Sequence, residues 1–268
     1  MSWLQVVVLA IVQGLTEFLP ISSSGHLVLV PKLFGWADQG LAYDVAVHFG
    51  SLGAVVLFFR NDIASLFRGS LQVLHARVET IEARLALGIA LGTIPAAVAG
   101  LLLAGWIEQH LRSPMVIVVT LAGYAILMAV ADRYGRRTRE IASIGIRDAF
   151  LIGCAQALAL VPGTSRSGVT ITAGLALGLE RQDAARFSFL LVVPVILLAS
   201  IYEFTGLLEA TAPVDWVQLG VAALISAVVS YLSIDFLMRF VPRIGLVPFA
   251  VYRLLLAGVI VVIHYGFG

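Results

Sequence analysis

The sequence predicts an all-α integral membrane protein of six transmembrane helices and two re-entrant helical hairpins. Three observations carry that expectation. Sixty per cent of the 268 residues are hydrophobic and only 12% are charged, with a mean hydropathy of +1.00. A soluble domain averages about 25% charged residues, which cover its surface. Six nearly uncharged stretches supply the roughly 20 helical residues needed to cross a bilayer's hydrocarbon. Two further apolar regions are each interrupted near the middle. The balance of 17 Lys+Arg against 16 Asp+Glu, net +1, excludes a disordered chain and a nucleic-acid surface. The single cysteine, Cys154, rules out an internal disulfide framework and a cysteine-rich metal site, and in its apolar run it reads as packing.

Residues 3–34 form the first interrupted region, broken at Pro20-Ile-Ser-Ser-Ser-Gly-His26, and spans at about 41–59, 85–106 and 114–131 follow. The second interrupted region, 149–179, breaks at Pro162-Gly-Thr-Ser-Arg-Ser-Gly168, and spans at 186–207, 216–238 and 246–266 complete the chain. The flanking pieces 149–161 and 168–179 have only 13 and 12 residues. At about 1.5 Å per residue they reach little more than halfway across.

Charge orients the spans. Segment 60–84 carries Arg60, Arg68, Arg77 and Arg84, and 132–147 carries Arg133, Arg136, Arg137, Arg139 and Arg147; 107–113 has only Arg112 and 208–215 has no Lys or Arg. The basic segments are expected in the cytoplasm. Arg181 and Arg186 put the start of span 186–207 there too. Region 149–179 thus enters from and returns to the cytoplasm as a re-entrant hairpin. The same parity makes 3–34 a hairpin dipping from outside, with both termini outside. No basic n-region or cleavage site marks its apolar run as a signal peptide.

The chain also repeats itself as one polytopic domain with internal repeats at about 1–130 and 145–268. Gln13–Gly25 (QGLTEFLPISSSG) aligns with Gln156–Gly168 (QALALVPGTSRSG) at an offset of 143, matching Ser22 to Ser165, Ser24 to Ser167 and Gly25 to Gly168. Gly92–Gly105 likewise resembles Gly245–Gly258, identical at nine of 14 positions. A broken hairpin followed by three spans, an odd number, turns the second copy upside down. Inverted repeats of this kind place the working site where the breaks meet.

Each break offers hydroxyls and glycine and then starts a helix, whose N-terminal N–H groups form an anion site. Arg166 adds a planar fork suited to phosphate oxygens. These features nominate Ser165, Arg166 and Ser167 as phosphate ligands. Glu17 follows Gln13 at i+4 on one helix face, and a carboxylate with a carboxamide oxygen suits a hard divalent ion, Mg²⁺ or Ca²⁺. His26 offers a nucleophile or proton shuttle, with Ser23 three residues before it as a hydroxyl it would activate. Asp44 and His48 are either rim or site lining. Arg253 is expected to snorkel or to bind a carbonyl, His75 and His110 to be solvated, and the Phe and Trp residues to face lipid or the interface.

These motifs resemble those of bacterial undecaprenyl-diphosphate phosphatases of the BacA/UppP type. Gln13-Gly-Leu-Thr-Glu17 with Ser22-Ser23-Ser-Gly-His26 is similar to their (E/Q)xxxE-plus-SSxGH motif, and Pro162-Gly-Thr-Ser165-Arg166-Ser-Gly-Val-Thr170 to their PGxSRSxxT motif. Phe187-Ser-Phe-Leu-Leu and Pro248-Phe-Ala-Val-Tyr-Arg253 fit as well. The resemblance implies metal-dependent hydrolysis of undecaprenyl diphosphate to the monophosphate in the bacterial inner membrane, at a site facing the outer, periplasmic side. It implies Glu17, His26 and Arg166 as the essential trio, with Gln13, Ser23, Ser165 and Thr170 around them, Thr170 as a further phosphate ligand. Some members carry Glu where this chain has Gln13, which leaves one carboxylate fewer. Whether His26, Ser23 or water attacks stays open, as does a homo-oligomer.

Other readings compete. Ser24-Gly-His26 and Ser165-Arg166 also resemble type 2 phosphatidic acid phosphatases, but the required histidine is Thr172 here. Inverted repeats suit a transporter or flippase of the lipid monophosphate. A noncatalytic scaffold would leave buried Glu17, His26 and Arg166 without a purpose.

Overall fold

The computed structural model describes residues 1–111, 113–209 and 215–266. Among them are eleven α-helices and no β-strand: α1 (Trp3–Thr16), α2 (Ser23–Phe34), α3 (Leu41–Phe58), α4 (Arg60–Leu74), α5 (Ile81–His110), α6 (Pro114–Tyr134), α7 (Ile146–Ala157), α8 (Arg166–Ala176), α9 (Arg181–Glu209), α10 (Trp216–Ile244) and α11 (Val247–Gly266). The side chains of Ser2, Thr80, Ser113 and Asp215 cap α1, α5, α6 and α10 by accepting first-turn N–H groups. Gly35, at φ 64°, ends α2.

Six helices, α3, α5, α6, α9, α10 and α11, are long and apolar enough to cross a membrane, in the places and order the sequence predicts. Arg112 and most of the 208–215 connection lie outside the described residues. Large apolar side chains such as Leu101, Leu102 and Leu255 point outward, an arrangement that lipid tolerates and water does not. Segment 60–84 is no simple loop, because residues 60–74 form α4, tied to α9 by an Asp62–Arg186 ion pair.

The core departs from one expectation. Phe18, Phe59, Phe187 and Phe189 are buried, and Phe189 meets Phe18 edge-on at 5.4 Å. Phe18 and Phe59 lie at the turns that follow α1 and α3, and Phe187 and Phe189 on α9, so a single helical periodicity does not mark them as inward.

Close helix contacts rest on small residues, as membrane helices require. Ser51 on α3 bonds Ser226 and Ser230 on α10 at 3.0 and 2.9 Å. A Cβ added at Gly50 would lie 2.1 Å from the Ala223 carbonyl oxygen, whereas one at Gly53 would meet nothing within 4 Å. Gly50→Ala is therefore expected to cost about 1–3 kcal/mol through overpacking. It should lower the thermal midpoint of the purified protein, with Gly53→Ala as the neutral control. Equal midpoints would mean that α3 and α10 are not packed this closely.

The broken regions recur as local structure. α1 and α2 flank the first break and α7 and α8 the second. The second sequence match fails as a structural equivalence. Gly92–Gly105 lies wholly inside α5, the second long span of the first half, whereas Gly245–Gly258 opens at the turn before α11, the third of the second half. Shared Leu, Ala and Gly composition accounts for that identity.

Candidate active site at the two helix breaks

The first break begins where α1 stops. Glu17 is its C-cap, and after a short turn Ser22 adopts φ 75° and caps α2 through Gly25 N–H. The second break repeats the device. Ser165 adopts φ 69° and caps α8 through Gly168 N–H. Left-handed backbone at a serine is strained by about 1–3 kcal/mol and persists only where its surroundings hold it. Both serines stand at the positions that the 143-residue offset equates.

The two tips bind each other. Gly163 N–H donates to Ser24 Oγ at 3.3 Å, and Ser167 Oγ donates to the Leu19 carbonyl at 3.2 Å. Arg253 clamps them. Its side chain is fully buried and donates to the carbonyls of Pro20 in one break and Gly163 in the other, and to Leu121 and Thr120 on α6. Four carbonyls satisfy a cation that would otherwise be costly at this depth. This is the carbonyl-binding alternative for Arg253; the side chain does not snorkel.

At the centre lies Glu17, 149 residues from the arginine it pairs with. Its Oε1 accepts from Arg166, while Oε2 accepts from Ser23 Oγ at 2.8 Å and from Gln13 Nε2 at 3.0 Å. Glu17 and Gln13 are buried, whereas the Arg166 side chain retains 20% exposure. A charged fork at an open edge, ahead of a helix N-terminus, can hold an anion. Gln13 Oε1 has no hydrogen-bond partner. His48, left undecided by sequence, lines the site with Nε2 3.7 Å from Glu17 Oε2.

His26 spends both ring nitrogens on partners other than Ser23. Its Nδ1 donates to the Ser22 carbonyl at 2.7 Å, and its Nε2 lies 2.7 Å from the Tyr252 hydroxyl. The rings are within 5° of parallel. The pairing of Ser23 with His26 is thus replaced by Ser23 with Glu17. The i, i+3 spacing placed the two side chains on one face, but a carboxylate is the stronger acceptor within reach. Tyr252 was missed as a site residue; it sits in the Pro248–Arg253 motif, and only the fold brings it to His26.

The proposed phosphate ligands divide. Arg166 faces the site. Ser165 and Ser167 lie beside it, but their hydroxyls cap α8 and bind the Leu19 carbonyl. The Thr170 hydroxyl is bonded to the Arg166 carbonyl at 2.8 Å and lies 2.5 Å from the Ser188 hydroxyl. One turn along the helix from Arg166, it braces α8 against α9. Among the described residues, no group of three or more His, Cys, Asp or Glu side chains is placed to hold a metal.

The chain is 51% identical over 269 residues to "Undecaprenyl-diphosphatase 2" of Stutzerimonas stutzeri, covering 99% of this chain and 100% of the relative. It is 52% identical to the "Undecaprenyl-diphosphatase" of Nitrosococcus oceani, covering 97% and 98%. It is 43% identical to the protein of that name from Idiomarina loihiensis, covering 99% and 100%. The family model described as "Bacitracin resistance protein BacA" matches residues 6–259, and the chain, a multi-pass membrane protein with six apolar crossing helices, belongs to the BacA family.

Proposed function

We propose that this chain hydrolyses undecaprenyl diphosphate to undecaprenyl phosphate and inorganic phosphate, recycling the lipid carrier for cell-wall synthesis. The observation that carries the proposal is the Glu17–Arg166 pair, which joins the two breaks in one site with Ser23 at its edge. The relatives' names point to the same substrate and to hydrolysis rather than transport.

The residues suggest a sequence of events. An incoming diphosphate draws Arg166 from Glu17 onto its terminal phosphate, where the planar fork and the first-turn N–H groups of α8 offset the charge. Ser23 Oγ attacks the terminal phosphorus, and its proton passes to the Glu17 carboxylate, already 2.8 Å away. The P–O bond to the bridging oxygen breaks, and the lipid monophosphate leaves with that oxygen. Water then attacks the phosphoserine, its proton passing to His26 Nε2 as the Tyr252 hydroxyl gives way, while Glu17 returns its proton to the Ser23 oxygen; the Ser23 O–P bond breaks and inorganic phosphate leaves.

A divalent cation, Mg²⁺ or Ca²⁺, is part of this reading. Gln13 Oε1, buried and unpartnered, and the Glu17 carboxylate are oxygen donors that would hold such an ion, with phosphate and water completing its shell. When bound, it would neutralise charge on the departing phosphate. The carboxylate's roughly four lone-pair sites leave room for a proton as well.

The Arg-rich segments 60–84 and 132–147 support an orientation with the site opening to the periplasmic side of the inner membrane. The inverted-repeat arrangement with two re-entrant hairpins is supported by the matching Ser22 and Ser165 geometry. Purified protein should release phosphate from undecaprenyl diphosphate, and right-side-out membrane vesicles should release it to the outside. No release by folded protein would defeat the hydrolase reading; release only into the vesicle lumen would reverse the orientation.

A further inference from the structure

We propose that His48 is a ligand of the divalent cation, so that the ion sits among the Glu17 carboxylate, the Gln13 carboxamide oxygen and the His48 imidazole. This rests on the metal-assisted reading above and adds a nitrogen donor that the sequence motifs omit, from a helix, α3, that carries neither break.

Two independent observations point to a cation. The first is the histidine's orientation. His48 Nδ1 lies 2.8 Å from the Asp44 carbonyl oxygen. A carbonyl only accepts, so Nδ1 donates to it and the ring is held with Nε2 turned into the site. Nε2 faces Glu17 Oε2 at 3.7 Å. The gap is too long for a hydrogen bond, but two atoms each about 2.0–2.2 Å from one ion can span roughly that distance. A backbone carbonyl behind the distal nitrogen is also how metal-bound imidazoles are usually oriented.

The second observation is Gln13. Its side chain is completely buried, its Nε2 is committed to Glu17 Oε2, and its Oε1 accepts nothing. A buried acceptor without a donor is costly, and a cation beside Glu17 would satisfy it. His26 does not compete for this role, because both its ring nitrogens are engaged by Ser22 and Tyr252. The His48 side chain keeps 30% exposure, so the ion can enter. An imidazole among the ligands also shifts preference from Mg²⁺ and Ca²⁺ toward Mn²⁺, Co²⁺ and Zn²⁺.

The test uses full-length purified protein stripped with a chelator and titrated with Mn²⁺ without substrate. Affinity is read by electron paramagnetic resonance, and imidazole coordination by ¹⁴N modulation in the pulsed experiment. Wild type is expected to bind Mn²⁺ with an imidazole ¹⁴N signal. His48→Gln should lose that signal and bind at least tenfold more weakly at an unchanged thermal midpoint, and His26→Gln should retain the signal. His48→Ala serves if His48→Gln does not fold. Mn²⁺ bound without an imidazole signal, or equally by wild type and the His48 variants, would overturn the ligand assignment. In that case His48 is an imidazolium paired with Glu17, and the metal-assisted reading stands. If wild type binds no Mn²⁺, alone or with inorganic pyrophosphate, and hydrolyses its substrate in chelator, the metal reading falls and His48 with it.

Discussion

Arg166→Lys is expected to lower kcat/KM for undecaprenyl diphosphate at least tenfold, on the order of 1.4 kcal/mol of transition-state stabilisation. Lysine keeps the charge but not the planar fork that meets two phosphate oxygens at once. The effect must be separated from stability. Glu17 is buried, and leaving one partner of a buried pair alone costs about 3–5 kcal/mol. The exchange Glu17→Arg with Arg166→Glu supplies the separation. It should recover much of the thermal midpoint lost in Glu17→Ala, because a pair is restored, yet remain inactive. The guanidinium would then stand on the α1 side and the carboxylate at the N-terminus of α8. Wild-type kcat/KM in Arg166→Lys would remove bidentate phosphate binding; an active exchange variant would make the pair purely structural.

That pair was legible in part. The six long spans followed from hydropathy and length, because a bilayer imposes one dimension on every crossing helix. The breaks were legible because Pro, Gly and Ser interrupt apolar runs, and the repeat suggested that the tips meet. The Ser24–Gly163 and Glu17–Arg166 contacts bear that out. What stayed hidden depends on direction rather than on residue type. Thr170 belongs to a motif full of hydroxyls, and only the fold shows that its hydroxyl binds the Arg166 carbonyl and Ser188. His48 and Tyr252 reach the site from α3 and α11, more than 20 and 200 residues along the chain from their partners. The Gly92 and Gly245 segments mislead for the opposite reason. Lipid-facing helices draw on few residue types, so likeness between them is weak evidence of equivalence.

Ser23→Ala is expected to abolish turnover, with a fall of at least about a thousandfold, because the attacking oxygen is removed and the rest of the site is kept. The geometry favours Ser23 over His26. Its hydroxyl already donates to Glu17 at 2.8 Å, whereas the free lone pair of His26 is covered by the Tyr252 hydroxyl at 2.7 Å. Two measurements make the argument decisive. Wild type quenched in acid after exposure to substrate labelled in its terminal phosphate should hold an acid-stable phosphoserine at Ser23. His26→Ala should form that label but lose it slowly, since the histidine acts on the water of the second step, and its turnover should fall about 10²–10⁴-fold. Tyr252→Phe removes only the hydrogen bond to Nε2 and should alter the second step less than His26→Ala does. An acid-labile label on His26, with Ser23→Ala retaining most of its activity, would transfer the attack to the imidazole. Glu17 would then serve Arg166 and the cation alone. Absence of any label, with both variants impaired, would leave water as the nucleophile and reduce Ser23 to orienting the Glu17 carboxylate.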